Sequence, residues 1–172
     1  MSRIADLREL LGEIDRFDNV SRQLLSALDH LLTKDVAVIG RTTTTGVATA
    51  GLLENFYTAV ETVLVRIAQN FGNNLRPERW HSDLLQRMTV EVPGVRPAVL
   101  SEEVYSHLDE LMRFRHFKRY YYHLEYDWTR LGYLTDLAQR TAPMVTGELA
   151  TFRSYVQSVI AELERTTGED HP

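Results

Sequence analysis

Apolar residues recur every three or four positions along most of the chain, the spacing of a helix that buries one face. Ile4, Leu7, Leu11 and Ile14 hold that spacing, and Phe17, Leu24, Leu28 and Leu31 resume it after Ser21 breaks the stripe. The spacing predicts one long helix over 2–33, with a stripe narrow enough for a bundle or a coiled-coil-like seam. Residues 34–45 interrupt the pattern. VAVIG at 36–40 has the length of a short strand but no evident partner strand, so a buried connector is expected there. Thr42 to Thr45 suit caps better than helix interiors, and one of them is expected to cap a helix over 46–71. That helix has a wide apolar face: Leu53, Phe56, Tyr57, Val60, Val63, Leu64 and Ile67. Gly46, Ala50 and Gly51 at its start are small enough to let another helix approach closely.

GNNLRPER at 72–79 reads as a loop, followed by a shorter helix over Trp80 to Val92 with Leu84, Leu85 and Met88 inward. VPGVRP at 92–97 is a break. Ser101 then caps a helix whose first turn carries Glu102 and Glu103, a placement the helix dipole favours. Val104, Leu108, Leu111 and Met112 give that helix its apolar side. Helix resumes over Asp127 to Arg140, and Pro143 is expected to kink or restart it before a final amphipathic helix carrying Phe152, Val156 and Ile160. The expected organisation is a single all-α domain over 1–167, with a frayed tail over 168–172.

Composition agrees with that pattern. A chain of 172 residues suits one domain with a sizeable core, and nine Gly with five Pro leave little punctuation for a many-stranded fold. Cysteine is absent, which excludes a disulfide framework, a thiol nucleophile and a thiolate zinc site. No apolar run approaches the ~18 residues of a membrane span. MSRIADLREL at the start has early acids and no apolar core like that of a signal peptide. A cytoplasmic protein without a membrane segment is expected. The net charge of −5 argues against a general nucleic-acid binder. Its distribution is uneven, however. RFRHFKRYYYH at 113–123 holds Arg113, Arg115, Lys118 and Arg119 and no acid, leaving a balance of −9 on the rest of the chain. The segment is either an electropositive site or an unusually basic solvated helix face.

Common catalytic signatures fail. Gly46-Val-Ala-Thr-Ala-Gly51 has the glycine spacing of a P-loop, but Leu52 and Leu53 follow it where Lys and Ser/Thr must stand. The six histidines form no HExxH, and there is no Gly-x-Ser-x-Gly elbow. His116 and His123 lie seven apart near Glu125 and Asp127, a spacing too unspecific to indicate a metal. No metal and no cofactor are expected.

The stretch Glu110-Leu-Met-Arg-Phe-Arg-His-Phe-Lys-Arg-Tyr-Tyr-Tyr122 resembles the signature of HEPN-domain proteins of the HepT-like group. That signature is Arg, four residues, His, one residue, Tyr. Arg115 falls on the motif Arg, His116 on the polar residue after it, and Tyr122 on the motif Tyr. Tyr120 stands where the family has His. The resemblance extends through LLENFYTAVETVLVRIAQNF at 52–71, Trp80-His81 with Leu84, Leu85 and Met88, RPAVLSEE at 96–103, and Tyr126-Asp127-Trp128. It implies a HEPN-like helical bundle with long antiparallel helices that pairs as a homodimer, the two motifs lining a cleft between subunits. It further implies a metal-independent ribonuclease toxin beside a minimal nucleotidyltransferase antitoxin, which neutralises the toxin by adding AMP to the motif Tyr, here Tyr122.

The chemistry accounts for the residue types. Cleavage of RNA by its own 2′-hydroxyl needs a base, an acid and a cation for the phosphorane. His titrates near neutrality, and the Arg fork matches phosphate oxygens. Tyr120, with an ordinary pKa of ~10, is a poor base but can donate a proton or a hydrogen bond. The resemblance assigns Arg115, His116 and Tyr120 to catalysis. Arg113, Lys118, Arg119 and His123 are candidate RNA contacts. At roughly 100° per residue, His116, Tyr120 and His123 share one helix face, and Arg115, Arg119 and Tyr122 share its neighbour. Arg115 and Tyr120 lie roughly 140° apart on an ideal helix, so a helix irregularity or the partner subunit must bring them together. The competing expectation is a degenerate HEPN protein that binds RNA or nucleotide, or only docks a nucleotidyltransferase. In a purely structural role, Phe114, Phe117 and Tyr121 would pack while the cations stay solvated.

Overall fold

A computed structural model describes residues 3–71, 80–120 and 124–169, with the side chains of residues 80–82, 119–120 and 168–169 excepted. The chain is an all-α bundle. Helix α1 spans Arg3–His30 and runs on through a π-helical turn, Leu31–Asp35, into the short α2, Val36–Ile39. Helix α3 spans Thr43–Asn70, α4 Trp80–Met88, α5 Glu102–Tyr120 and α6 Trp128–Glu169. The regular helices follow the 3-4 apolar spacing, which places Leu7, Leu10 and Ile14 of α1 and Leu53, Phe56, Val60, Leu64 and Ile67 of α3 in one core with α4, α5 and α6.

Side-chain pairings fix the helix directions. Arg8 bonds Glu164 and Arg153 bonds Asp15, so α1 and α6 run antiparallel. Arg3 at the start of α1 donates to the carbonyl of Asn70 at the end of α3. The Ser101 N–H donates to Glu148 at 3.1 Å, Thr141 meets His107 at 3.1 Å and Tyr133 donates to Glu110 at 2.5 Å, a descending order that sets α5 antiparallel to α6. Helix α3 lies centrally and touches α1, α4, α5 and α6.

Local chemistry sets the helix ends. The Thr42 hydroxyl accepts from the Thr45 N–H at 3.2 Å while the Thr45 hydroxyl accepts from the Thr42 N–H at 2.9 Å, a reciprocal capping box that starts α3. Ser101 accepts from the Val104 N–H at 3.2 Å, and Asp127 accepts from the Thr129 N–H at 2.8 Å. Helix α4 stops at Met88, short of the expected Val92. Buried Arg96 donates to the carbonyls of Arg87, Val90 and Pro97, and the Met88 carbonyl accepts from Val99 and Leu100. Those carbonyls are therefore taken up by tertiary contacts rather than by another helical turn.

Two expectations are corrected. VAVIG is neither strand nor buried connector: Val38 and Ile39 lie in helix and are 88% and 61% exposed. Its β-branched residues resemble a strand in composition, but no strand stands beside it among the described residues, and the chain continues the axis of α1 until Gly40, at φ +89°, turns it. Pro143 does not divide the last helix, since α6 continues through it. Pro143 and Gln139 are both exposed, so water can take the carbonyl that the proline ring leaves unpaired. The expected loop at 72–79 and the last three residues of the expected tail lie outside the described residues; Gly168 and Glu169 belong to α6.

Candidate functional site at the α3–α5 crossing

Helix α3 carries two acids in 28 residues, Glu54 and Glu61, seven apart and so on one face. Helix α5 crosses that face in the opposite sense. Arg115 Nη1 donates to Glu61 Oε2 at 2.9 Å, and Lys118 Nζ lies 2.5 Å from Glu54 Oε2. The Arg115–Glu61 pair is almost dry, with side chains 9% and 6% exposed. The guanidinium also lies over the Tyr57 ring, 5.6 Å from its centroid, where the ring quadrupole favours a cation.

The network has spare polar capacity. Arg115 Nε and the Tyr57 hydroxyl are buried with no hydrogen-bond partner of normal geometry among the described residues. Burial pushes the Tyr57 hydroxyl well above its ordinary range. The Glu61 carboxylate pushes it the same way, while Arg115 opposes both. Tyr57 is therefore neutral at any physiological pH and can only donate or accept a hydrogen bond there.

The other expected site residues separate by face. His116 is exposed, whereas Arg115 beside it in sequence is buried toward α3. Arg113 is exposed and pairs with Asp109 one turn back at 2.8 Å. Each of the three described cations of the basic segment thus already meets a carboxylate. The solvated-face expectation holds for Arg113 but not for Arg115 or Lys118. Phe114 is buried and sits 6.4 Å from Tyr126, whereas Phe117 is 49% exposed. Tyr120 ends α5, but its side chain and that of Arg119 are outside the described set, as are Tyr121, Tyr122 and His123 altogether. Gly46 at the start of α3 does receive a close neighbour: a Cβ there would meet Tyr126 at 3.7 Å and Trp128 at 3.8 Å.

Glu61, Glu54 and the polar end of Tyr57 were not among the expected site residues. Their signal is present in the sequence: two acids one heptad apart on an otherwise apolar helix, with cations three apart on another. Among the described residues, no group of His, Asp or Glu is arranged to hold a metal, and no helix is long and apolar enough to cross a membrane.

An all-α bundle in which a basic helix end packs antiparallel on a central helix has the architecture of a HEPN domain. The family model described as HepT-like protein matches residues 48–156, from the first turns of α3 through most of α6, and the chain belongs to that HEPN family of toxin-type proteins. No curated protein and no solved structure matches the chain.

Proposed function

We propose that the chain is the toxin component of a HEPN/nucleotidyltransferase pair, a cytoplasmic homodimer that cleaves RNA without a metal and is silenced by AMP on Tyr122. The observation that supports this most is that the family match spans the whole Arg115–Tyr122 motif and the helix that Arg115 packs on. Arg115 supplies the cation for the phosphorane, His116 the proton transfer, and Tyr120 a proton or hydrogen bond in the place of the family His. Arg113, Lys118, Arg119 and His123 contact the strand. An AMP diester on Tyr122 places negative charge and bulk where an RNA phosphate would bind.

A second reading is favoured by the Arg115–Glu61 pair. Arg115 reaches a phosphate only by giving up Glu61 or sharing its remaining N–H groups, and Glu61 without its partner is a costly buried charge. With Tyr120 at the His position, a protein that binds RNA or docks its partner without cutting fits that cost. Induced expression separates the readings. Growth arrest relieved by a co-expressed nucleotidyltransferase, with AMP mapped to Tyr122 by mass spectrometry and absent in Tyr122→Phe, supports the toxin. Unimpaired growth with a stable co-purifying partner supports docking alone.

A further inference from the structure

One cation outside the motif stands apart. Arg41 is the single charged residue in positions 36–53, and it is exposed. Among the described residues it pairs with no carboxylate, and its guanidinium lies over the Trp128 ring, 5.7 Å from the centroid. We propose that Arg41 on Trp128 is a phosphate-binding platform, which holds one phosphate of a nucleotide or of an RNA strand outside the Arg115–Tyr122 motif. The proposal rests on the reading that the chain engages RNA.

Three observations carry it. First, the platform is held in place. Gly40, at φ +89°, turns the chain out of α2, and its carbonyl accepts from the Thr42 N–H at 3.0 Å and the Thr45 hydroxyl at 2.9 Å. The backbone on both sides of Arg41 is therefore fixed. Trp128 is half-buried, and its ring lies 3.8 Å from the position a Gly46 Cβ would take. A guanidinium over a ring face gives up none of its N–H donors to that contact, so the planar fork stays available to two phosphate oxygens. Second, the described cations of the motif are already engaged. Arg113, Arg115 and Lys118 each meet a carboxylate within the chain, which a phosphate must displace or share. Arg41 breaks no ion pair to take a phosphate, so its full charge counts toward the ligand. Third, the platform adjoins the motif helix. Tyr126 lies 3.7 Å from the same Gly46 position and stands 6.4 Å from Phe114, the residue before Arg115. The carboxylate of Asp127, next to Trp128, is taken up by the Thr129 N–H at 2.8 Å.

Titration of the full-length protein tests this. The probes are UMP and 2′-O-methyl uridylates of two and eight nucleotides, whose blocked 2′-oxygens prevent cleavage. Affinity is read by anisotropy of a labelled octamer and by competition with the shorter probes. The octamer is expected to bind at least about tenfold more tightly than the dimer. Arg41→Met keeps an unbranched side chain over the ring and removes the charge. It is expected to weaken the octamer about fivefold near ~0.1 M salt and to lower the slope of log affinity against log salt by ~0.7, the value of one phosphate on a single strand. Arg41→Lys is expected to keep that slope. Trp128 and Trp80 are the two tryptophans, so in a Trp80→Phe protein the octamer should change the emission of Trp128 as it binds. A merely structural pair gives the opposite pattern: Arg41→Met lowers the melting point and leaves affinity and salt slope unchanged, which overturns the proposal. Binding of no probe overturns it as well. UMP that binds as tightly as the octamer, and is lost in Arg41→Met, assigns the platform to a free nucleotide, whereas Arg41-dependent octamer binding with weak UMP assigns it to a strand. Arg41-dependent binding in a protein that cuts no RNA keeps the platform and removes the ribonuclease. RNA cleavage by a protein whose octamer affinity ignores Arg41→Met keeps the ribonuclease and removes the platform.

Discussion

Replacing Glu61 by Ala isolates the electrostatics of the α3–α5 crossing. The guanidinium of Arg115 stays buried, its side chain 9% exposed, and loses the carboxylate 2.9 Å away. At an effective dielectric of ~20 that contact is worth about 6 kcal/mol of attraction, much of it offset by desolvation while the pair is intact. Removing one partner forfeits the attraction while the other ion stays desolvated, so a loss of about 3–5 kcal/mol is expected. For a domain with ~5–15 kcal/mol of total stability that is a large fraction, and it corresponds to a melting point lower by roughly 6–20 °C. Urea denaturation followed by circular dichroism at neutral pH measures it. Arg115→Ala should cost about as much, because it strands Glu61 instead. The double variant Glu61→Leu/Arg115→Met, which buries two apolar side chains of similar length, should return to within about 1 kcal/mol of the parent. A Glu61→Ala loss below about 1 kcal/mol, or a double variant that loses the sum of the single losses, would refute a dry, coupled pair. The same arithmetic bears on function: lost activity in Arg115→Ala mixes chemistry with unfolding, so Arg115→Lys is the variant for enzymology.

Tyr57→Phe removes a buried hydroxyl without a normal partner and keeps the ring under Arg115. It should stabilise by up to about 1 kcal/mol in thermal melts at pH 7, and a loss above about 1.5 kcal/mol would show that the hydroxyl is bonded. Because the folded-state Tyr57 hydroxyl titrates above its unfolded value, the proton linkage costs nothing below pH ~10 and lowers stability at higher pH, where the unfolded chain releases this proton and the folded chain holds it. Tyr57→Phe should accordingly flatten the alkaline limb of the stability profile. Thr42→Ala opens the capping box of α3 and should cost about 1 kcal/mol in urea denaturation, with Thr42→Ser restoring most of it. Asp15 accepts two hydrogen bonds from Arg153, at 2.9 and 3.0 Å, and that hydrogen bonding holds its carboxyl below the ordinary range. A depressed carboxylate stabilises above its unfolded pKa of ~3.9 and loses that contribution as pH falls through the folded value. Asp15→Asn should therefore cost at most about 1 kcal/mol at pH 7, the pair being exposed, and its difference from the parent should shrink as the pH falls below the ordinary carboxylate range in denaturation curves.

Most helices were legible because each buries one face, and burial imposes a period. The seven-residue returns of Leu7 with Ile14, of Leu53 with Val60 and Ile67, and of Leu108 with Arg115 locate the core sides of α1, α3 and α5. Caps were legible for the same local reason at Thr42 and Ser101, whose short polar side chains reach a backbone N–H; Asp127, read as the first helical residue, caps α6 in the same way. Periodicity failed where tertiary contacts decide. Nothing local indicates that Arg96 bonds the carbonyls ending α4, or that a proline exposed at 143 is tolerated inside a continuous helix. Val36 to Ile39 misled because β-branched residues suggest burial, whereas Val38 and Ile39 are exposed beyond α1. At the site, the family spacing points to Arg115 but gives no sign of the partners of that side chain. A cation counts as solvated in a charge tally, and only the antiparallel packing of α5 on α3 brings Glu61 and Tyr57 to it.

The central proposal is that this HepT-like chain cuts RNA through Arg115, His116 and Tyr120. The direct measurement is incubation of the purified protein with total RNA in excess EDTA, with fragment ends analysed. The account predicts cleavage that survives chelation, leaves 2′,3′-cyclic phosphate ends, falls at least about tenfold in Arg115→Lys at equal folded fraction, and rises in Tyr120→His, which restores a group titrating near neutrality. RNA left intact by the parent protein at micromolar concentration, or cleavage indifferent to Arg115→Lys, would contradict it.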